Sequence, residues 1–144
     1  MFKLQLQKRI NNERGMTLIE IIIVVTILAS LVAILGTRVA GAQRKANVKQ
    51  ARIQIAEISK SLDMYFQDCM SYPDTNLGLA ALAPGGEAGC PNWGPEPYIK
   101  KVPVDPWGNP FVYYLENGSY TIISYGEDKR EGGTGYAADI SSND

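Results

Sequence analysis

The sequence predicts an α+β fold in which one long N-terminal helix, membrane-spanning in its first half and amphipathic in its second, packs on a small antiparallel sheet. Three observations carry this. An apolar run extends from Leu18 to Leu35 with Glu20 as its one ionisable side chain. Val48, Ala51, Ile55, Ile58, Leu62, Tyr65 and Cys69 then recur at alternating steps of three and four, the period of a helix with one apolar face. Further on, Phe111–Leu115 and Tyr120–Ser124 are β-branched and aromatic runs separated by Glu116-Asn117-Gly118-Ser119, and Asn-Gly between two such runs is a strong hairpin signal.

A helix rises ~1.5 Å per residue, so about 20 apolar residues cross a hydrocarbon core ~30 Å thick. The run after Met16 is long enough. Lys3, Lys8, Arg9 and Arg14 precede it against Glu13, which keeps the N-terminus in the cytoplasm and sends the C-terminus outward. Glu20 is the anomaly, because an unpaired charge at mid-bilayer costs about 2–3 kcal/mol, somewhat less near the end where Glu20 sits. Cleavage after Gly15 would create an α-amino group on Met16, with an ordinary pKa of about 8, at the same depth in a neighbouring copy. That cation would supply the missing partner.

Gly15-Met16-Thr17-Leu18-Ile19-Glu20 resembles the class III signal of type IV pilins and type II secretion pseudopilins. Members are cut after the glycine by the prepilin peptidase and methylated on the new terminus. Phe is usual where Met16 stands. Two other outlines are an ordinary secretory signal peptide cut after Ala42 and an unprocessed single-pass anchor. The first is disfavoured because such apolar regions hold ~7–15 residues and no acid.

The resemblance divides the chain into a basic leader (1–15), a transmembrane and filament-core helix (16–36), an amphipathic helix (37–69) and a small periplasmic domain (70–144). Removing the leader's four basic residues and one acid from totals of 14 and 15 leaves a net charge of −4, no footprint for nucleic acid. Beyond the long helix about 75 residues remain, a marginal core. Cys69 and Cys90 lie on the exported side, where thiols are oxidised and a bridge persists. A disulfide across that loop contributes roughly 3 kcal/mol. The alternative is a pair of free thiols or a metal pair, the latter short of ligands in a chain without histidine.

In chain order, no proline occurs between Gly36 and Pro73, so the helix can continue until Ser71-Tyr72-Pro73, where the residue before proline avoids the α region. Its apolar stripe packs on the chain's own sheet; a coiled coil with another chain is the other option, weakened by the small residues at its start. One or two helical turns follow over Thr75–Leu82, then a Pro- and Gly-rich loop over Pro84–Pro95. A third strand, drawn from a flanking segment, extends the hairpin of 111–124.

Tyr98-Ile99-Lys100-Lys101-Val102-Pro103-Val104-Asp105-Pro106-Trp107-Gly108-Asn109-Pro110, with Tyr72-Pro73 and Gly78–Leu82, resembles the major pseudopilin of type II secretion. The Asp105–Asn109 stretch reads as a structural turn with a buried Trp. In that family a loop after the last strand holds calcium through aspartates and carbonyls. Ser124-Tyr125-Gly126-Glu127-Asp128 and Gly133-Thr134 match part of the pattern, but Ala138-Asp139-Ile140 stands where the family has Asp-Asp-Ile. The resemblance therefore implies a calcium loop with Asp128 and Asp139 as ligands and Glu127 or Glu131 as substitutes. Calcium takes six to eight oxygens, so carbonyls and water can replace one carboxylate. A solvated acidic tail is the other reading. The family often has proline near Thr37.

No nucleophile elbow, phosphate-cradling loop or glycine fingerprint after a strand occurs, and the chain reads as non-enzymatic. The resemblance implies a filament subunit of the inner membrane and periplasm: a homopolymer that starts in membrane lipid, is cut by the prepilin peptidase, and assembles with minor pseudopilins on an ATPase-driven inner-membrane platform. A type IV pilin, a minor pseudopilin and a non-polymerising membrane-anchored binding module are the alternatives.

Overall fold

The computed structural model describes residues 15–144; all of the basic leader except Gly15 lies outside them. Helix α1 spans Leu18–Cys69. The chain divides after Val39 into two compact units. In the first, every described residue is exposed, an apolar helix surface with no cover among the described residues. Helical assignment is continuous through Gly36 and Thr37, and the Thr37 hydroxyl donates to the Ile34 carbonyl at 3.0 Å. Thr26 and Ser30 likewise donate to the carbonyls of Ile22, Ile23 and Ile27, so hydroxyls in the apolar run are satisfied by their own helix.

In the second unit, the predicted stripe is the buried one. Ala51, Ile55, Ile58, Leu62 and Tyr65 are buried, and Val48 and Cys69 pack at the edge. Ser61, which breaks the stripe, is buried too and donates to the Glu57 carbonyl at 3.2 Å. The helix stops where Met70 takes a left-handed conformation (φ 59°) while its amide still bonds to the Phe66 carbonyl at 2.8 Å. Pro73 prevents its resumption.

Against this face sit Leu79, Ala81 and Leu82 from a 3₁₀ turn over Gly78–Leu82, with Phe111, Tyr113, Ile122 and Ile140 from the sheet region. Strands β1 (Val112–Glu116) and β2 (Ser119–Ser124) pair antiparallel with Val112 opposite Ile123 and Glu116 opposite Ser119. Asn117 (φ 52°) and Gly118 (φ 78°) form the left-handed two-residue turn that matches strand twist. Strand β3 (Ile140–Ser141) pairs antiparallel with the other side of β2, giving the order β1-β2-β3. The third strand thus comes from the tail, and the loop expected after the last strand precedes it. Part of that tail is also a 3₁₀ turn, Gly135–Ala137.

The 105–109 turn is built around an acid. Asp105 is 3% exposed; its Oδ1 accepts from the amides of Trp107 (3.1 Å) and Asn109 (2.8 Å), and its own amide donates to the Asn109 carbonyl at 2.8 Å. Trp107, expected to be buried, is only partly so. The reason is that the Asp105 carboxylate already satisfies the turn's amides and takes the interior position. Gln54 on α1 donates to the Val104 carbonyl at 3.0 Å, fastening this turn to the helix.

Candidate functional site

The amino end of α1 is capped. Glu20 N–H donates to Thr17 Oγ1 at 3.3 Å and to the Thr17 carbonyl at 3.1 Å, placing Thr17 as N-cap and Glu20 in the first turn. Thr-x-x-Glu ahead of an apolar run is the signature of such a cap. Thr17 and Glu20 carry that spacing in the sequence. A carboxylate in the first turn gains about 0.3–1 kcal/mol from the helix dipole, which falls short of the ~2–3 kcal/mol that a charge in lipid can cost. The cap therefore offsets part of the penalty on Glu20 and leaves the rest. Met16 is exposed, and no atom beyond its chain neighbours lies within 4 Å of a Cβ placed on Gly15. Among the described residues, nothing crowds the bond between them.

Cys69 and Cys90 form a disulfide with their Cα atoms 5.5 Å apart. It joins the last residue of α1 to the Pro- and Gly-rich loop. Trp93 Nε1 holds that loop again by donating to the Ala81 carbonyl at 2.7 Å, and just beyond the loop the Tyr98 hydroxyl donates to Asp68 Oδ2 at 2.7 Å. Trp93 and Tyr65 both meet the Tyr98 ring edge to face. Burial pushes the hydroxyl pKa values of Tyr65, Tyr72, Tyr98 and Tyr113 upward; neighbouring carboxylates add to this at Tyr72 (Asp63) and Tyr98 (Asp68). These phenols stay neutral, and those of Tyr72, Tyr98 and Tyr113 serve as donors.

In the tail, the predicted ligands Asp128 and Asp139 close on one turn. Asp139 Oδ2 accepts from the Gly132 amide at 2.9 Å. A Cβ on Gly133 (φ 93°) would strike the Ala137 carbonyl and lie 3.3 Å from Asp128 Oδ2. Asp128 Oδ1 accepts from the Arg130 amide at 3.2 Å. Asp139 Oδ1 is buried and has no hydrogen-bond partner. An orphaned buried carboxylate oxygen costs upward of 1–3 kcal/mol, and a cation would satisfy it. Glu127 instead faces Arg44 of α1, with Nε to Oε1 at 3.2 Å, and Glu131 is exposed. Among the described residues, no three Asp, Glu, Cys or His side chains converge as a metal-binding group, so carbonyls would have to complete any site.

A capped apolar helix of membrane-crossing length, continued by an amphipathic helix on a small sheet, defines a pilin-type subunit. Residues 38–143 match the family model for type II secretion system (T2SS) protein G, and residues 10–36 match the prokaryotic N-terminal methylation motif. The chain belongs to the type II secretion protein G family. It is 42% identical over 132 residues to the type II secretion system core protein G of Pseudomonas aeruginosa, covering 89% of this chain and 93% of the relative. Identity to the core protein G of Escherichia coli K12 is 37% over 126 residues, covering 85% and 87%. The crystal structure of the major pseudopilin from the type 2 secretion system of enterohaemorrhagic E. coli superposes with a TM-score of 0.59 at 28% identity, covering 72% of this chain and 91% of that one. This chain is accordingly a structural subunit of a type II secretion pseudopilus, and its N-terminal apolar helix and signal motif fit membrane anchoring.

Proposed function

We propose that prepilin peptidase cuts between Gly15 and Met16, that the new terminus is methylated, and that the mature chain polymerises from the inner membrane into a periplasmic filament. The supporting observation is the first turn of α1. Glu20 is exposed there on a helix whose apolar surface has no cover among the described residues. Packing such helices side by side in a filament core buries that surface, and the Met16 ammonium of an adjoining copy neutralises Glu20. A misplaced copy leaves a buried charge unpaired, which makes the register specific. The partners are other copies of this chain, the peptidase, the minor pseudopilins and the assembly platform; the filament helps export folded proteins. The N-terminus is cytoplasmic and the C-terminus periplasmic.

The tail loop is proposed to hold calcium through Asp128 and Asp139. The buried, unpartnered Asp139 Oδ1 supports this, as does the closeness of Asp128 Oδ2 and the Ala137 carbonyl to Gly133. The ion would neutralise two carboxylates and tie the loop between β2 and β3.

Substituting Glu20 tests assembly. Glu20→Ala and Glu20→Leu should insert in the membrane as wild type does and form no filaments, scored by shearing and electron microscopy. Wild-type filament yield from either variant would contradict the proposal.

A further inference from the structure

Ser124, at the end of β2, is fully buried. Its hydroxyl donates to Asp105 Oδ2 at 2.7 Å and accepts from the Gly126 amide at 3.3 Å. Asp105 spends its other oxygen on the amides of Trp107 and Asn109. A continuous path of hydrogen bonds therefore runs from the 105–109 turn to Gly126, the residue that opens the tail loop. The backbone of the loop's far end comes close to Gly126, since a Cβ there would lie 3.1 Å from the carbonyl of Ala138, next to Asp139. Gly126 is also left-handed (φ 67°), a conformation that favours glycine.

We propose that Asp105 and Ser124 are positioning residues that anchor the tail loop at Gly126 and so set the separation of Asp128 and Asp139 before a cation arrives. The metal-facing part of this rests on the calcium reading above. Two carboxylates brought together without a cation repel each other, and the loop needs a restraint independent of the metal. The Asp105–Ser124 bond is such a restraint: it is buried, and neither residue touches the loop's acids in any assigned hydrogen bond. Removing the Ser124 hydroxyl strands the Gly126 amide and one Asp105 oxygen, both otherwise satisfied.

The test uses the full chain in detergent micelles. Amide hydrogen exchange over residues 125–139 is followed with a calcium chelator present, and calcium affinity is measured separately by titration. Ser124→Ala and Asp105→Asn should speed exchange in this segment about tenfold and weaken calcium about tenfold or more, as losing a supporting residue around a metal does. Ser124→Thr, which retains the hydroxyl, and Leu62→Ala, which weakens the core without touching this hydrogen-bond path, should keep calcium affinity within about twofold of wild type. Asp105→Asn preserves an oxygen acceptor for Trp107 and Asn109, and carries the test where Ser124→Ala does not fold. Unchanged loop exchange in the variants overturns the proposal, as does wild-type calcium affinity alongside loosened exchange. A wild-type chain that ignores calcium, with loop exchange still loosened by the variants, overturns the calcium reading and upholds the anchor.

Discussion

The Tyr113 hydroxyl donates a 2.8 Å hydrogen bond to the carbonyl of Pro73, tying β1 to the segment directly after α1. Tyr113 is 8% exposed and Pro73 is buried, so the bond is made away from water and its loss leaves a carbonyl unsatisfied. Tyr113→Phe should lower stability by about 1–2 kcal/mol, read by chemical denaturation of the solubilised chain.

The same residue sets an alkaline limit. Burial first, then the neighbouring Tyr120, Tyr65, Tyr72 and Asp74, push its pKa above the ordinary value of 10.0. The folded chain binds this proton more tightly than the unfolded chain, so the resulting stability is fully present below about pH 10 and is lost as pH rises above it. Melting temperature should fall on the alkaline side, and the fall should be shallower in Tyr113→Phe. A pH series of thermal melts followed by circular dichroism checks this.

Reduction of Cys69–Cys90, or Cys90→Ser, should cost roughly 3 kcal/mol on the chain-entropy account. For a domain of this size each kcal/mol moves the melting temperature by about 4–8 °C. The drop is therefore large, and thermal melts with and without reductant measure it.

Leu62→Ala removes a fully buried core side chain and should destabilise by about 2–5 kcal/mol. Ile53→Ala on the same helix, at a position 42% exposed, should cost less. Equal losses would mean that the stripe is not the packing face.

Calcium should raise the melting temperature of wild type, and a chelator should remove the gain. Asp139→Ala should abolish the response, because Asp139 Oδ1 is a buried carboxylate oxygen with no hydrogen-bond partner among the described residues.

The helix and hairpin were legible because their signals are local: a three-four stripe marks a buried face within a few turns, and Asn117-Gly118 marks its own turn. A third strand was expected, but its place at Ile140–Ser141 was not legible. The strand has two residues, and its pairing with β2 depends on a loop that folds back. The Asp105–Ser124 bond joins residues 19 apart, and no periodicity announces it, so Trp107 was given the interior place that Asp105 occupies. The Thr17 cap is readable from Thr-x-x-Glu, a local signal that accounts for part of the cost of Glu20, while the remainder calls for a partner outside the chain. Asp128 and Asp139 were picked out by their likeness to a family pattern; their closure on Gly132 and Gly133 is a tertiary fact.

The central claim is that proteolysis frees an ammonium for Glu20 to meet. Mass analysis of the N-terminal peptide from filament-associated protein tests it most directly. A chain beginning at Met16 and carrying one methyl group on its amine is the predicted result; a chain beginning at residue 1, or at residue 43 after cleavage behind Ala42, would contradict it.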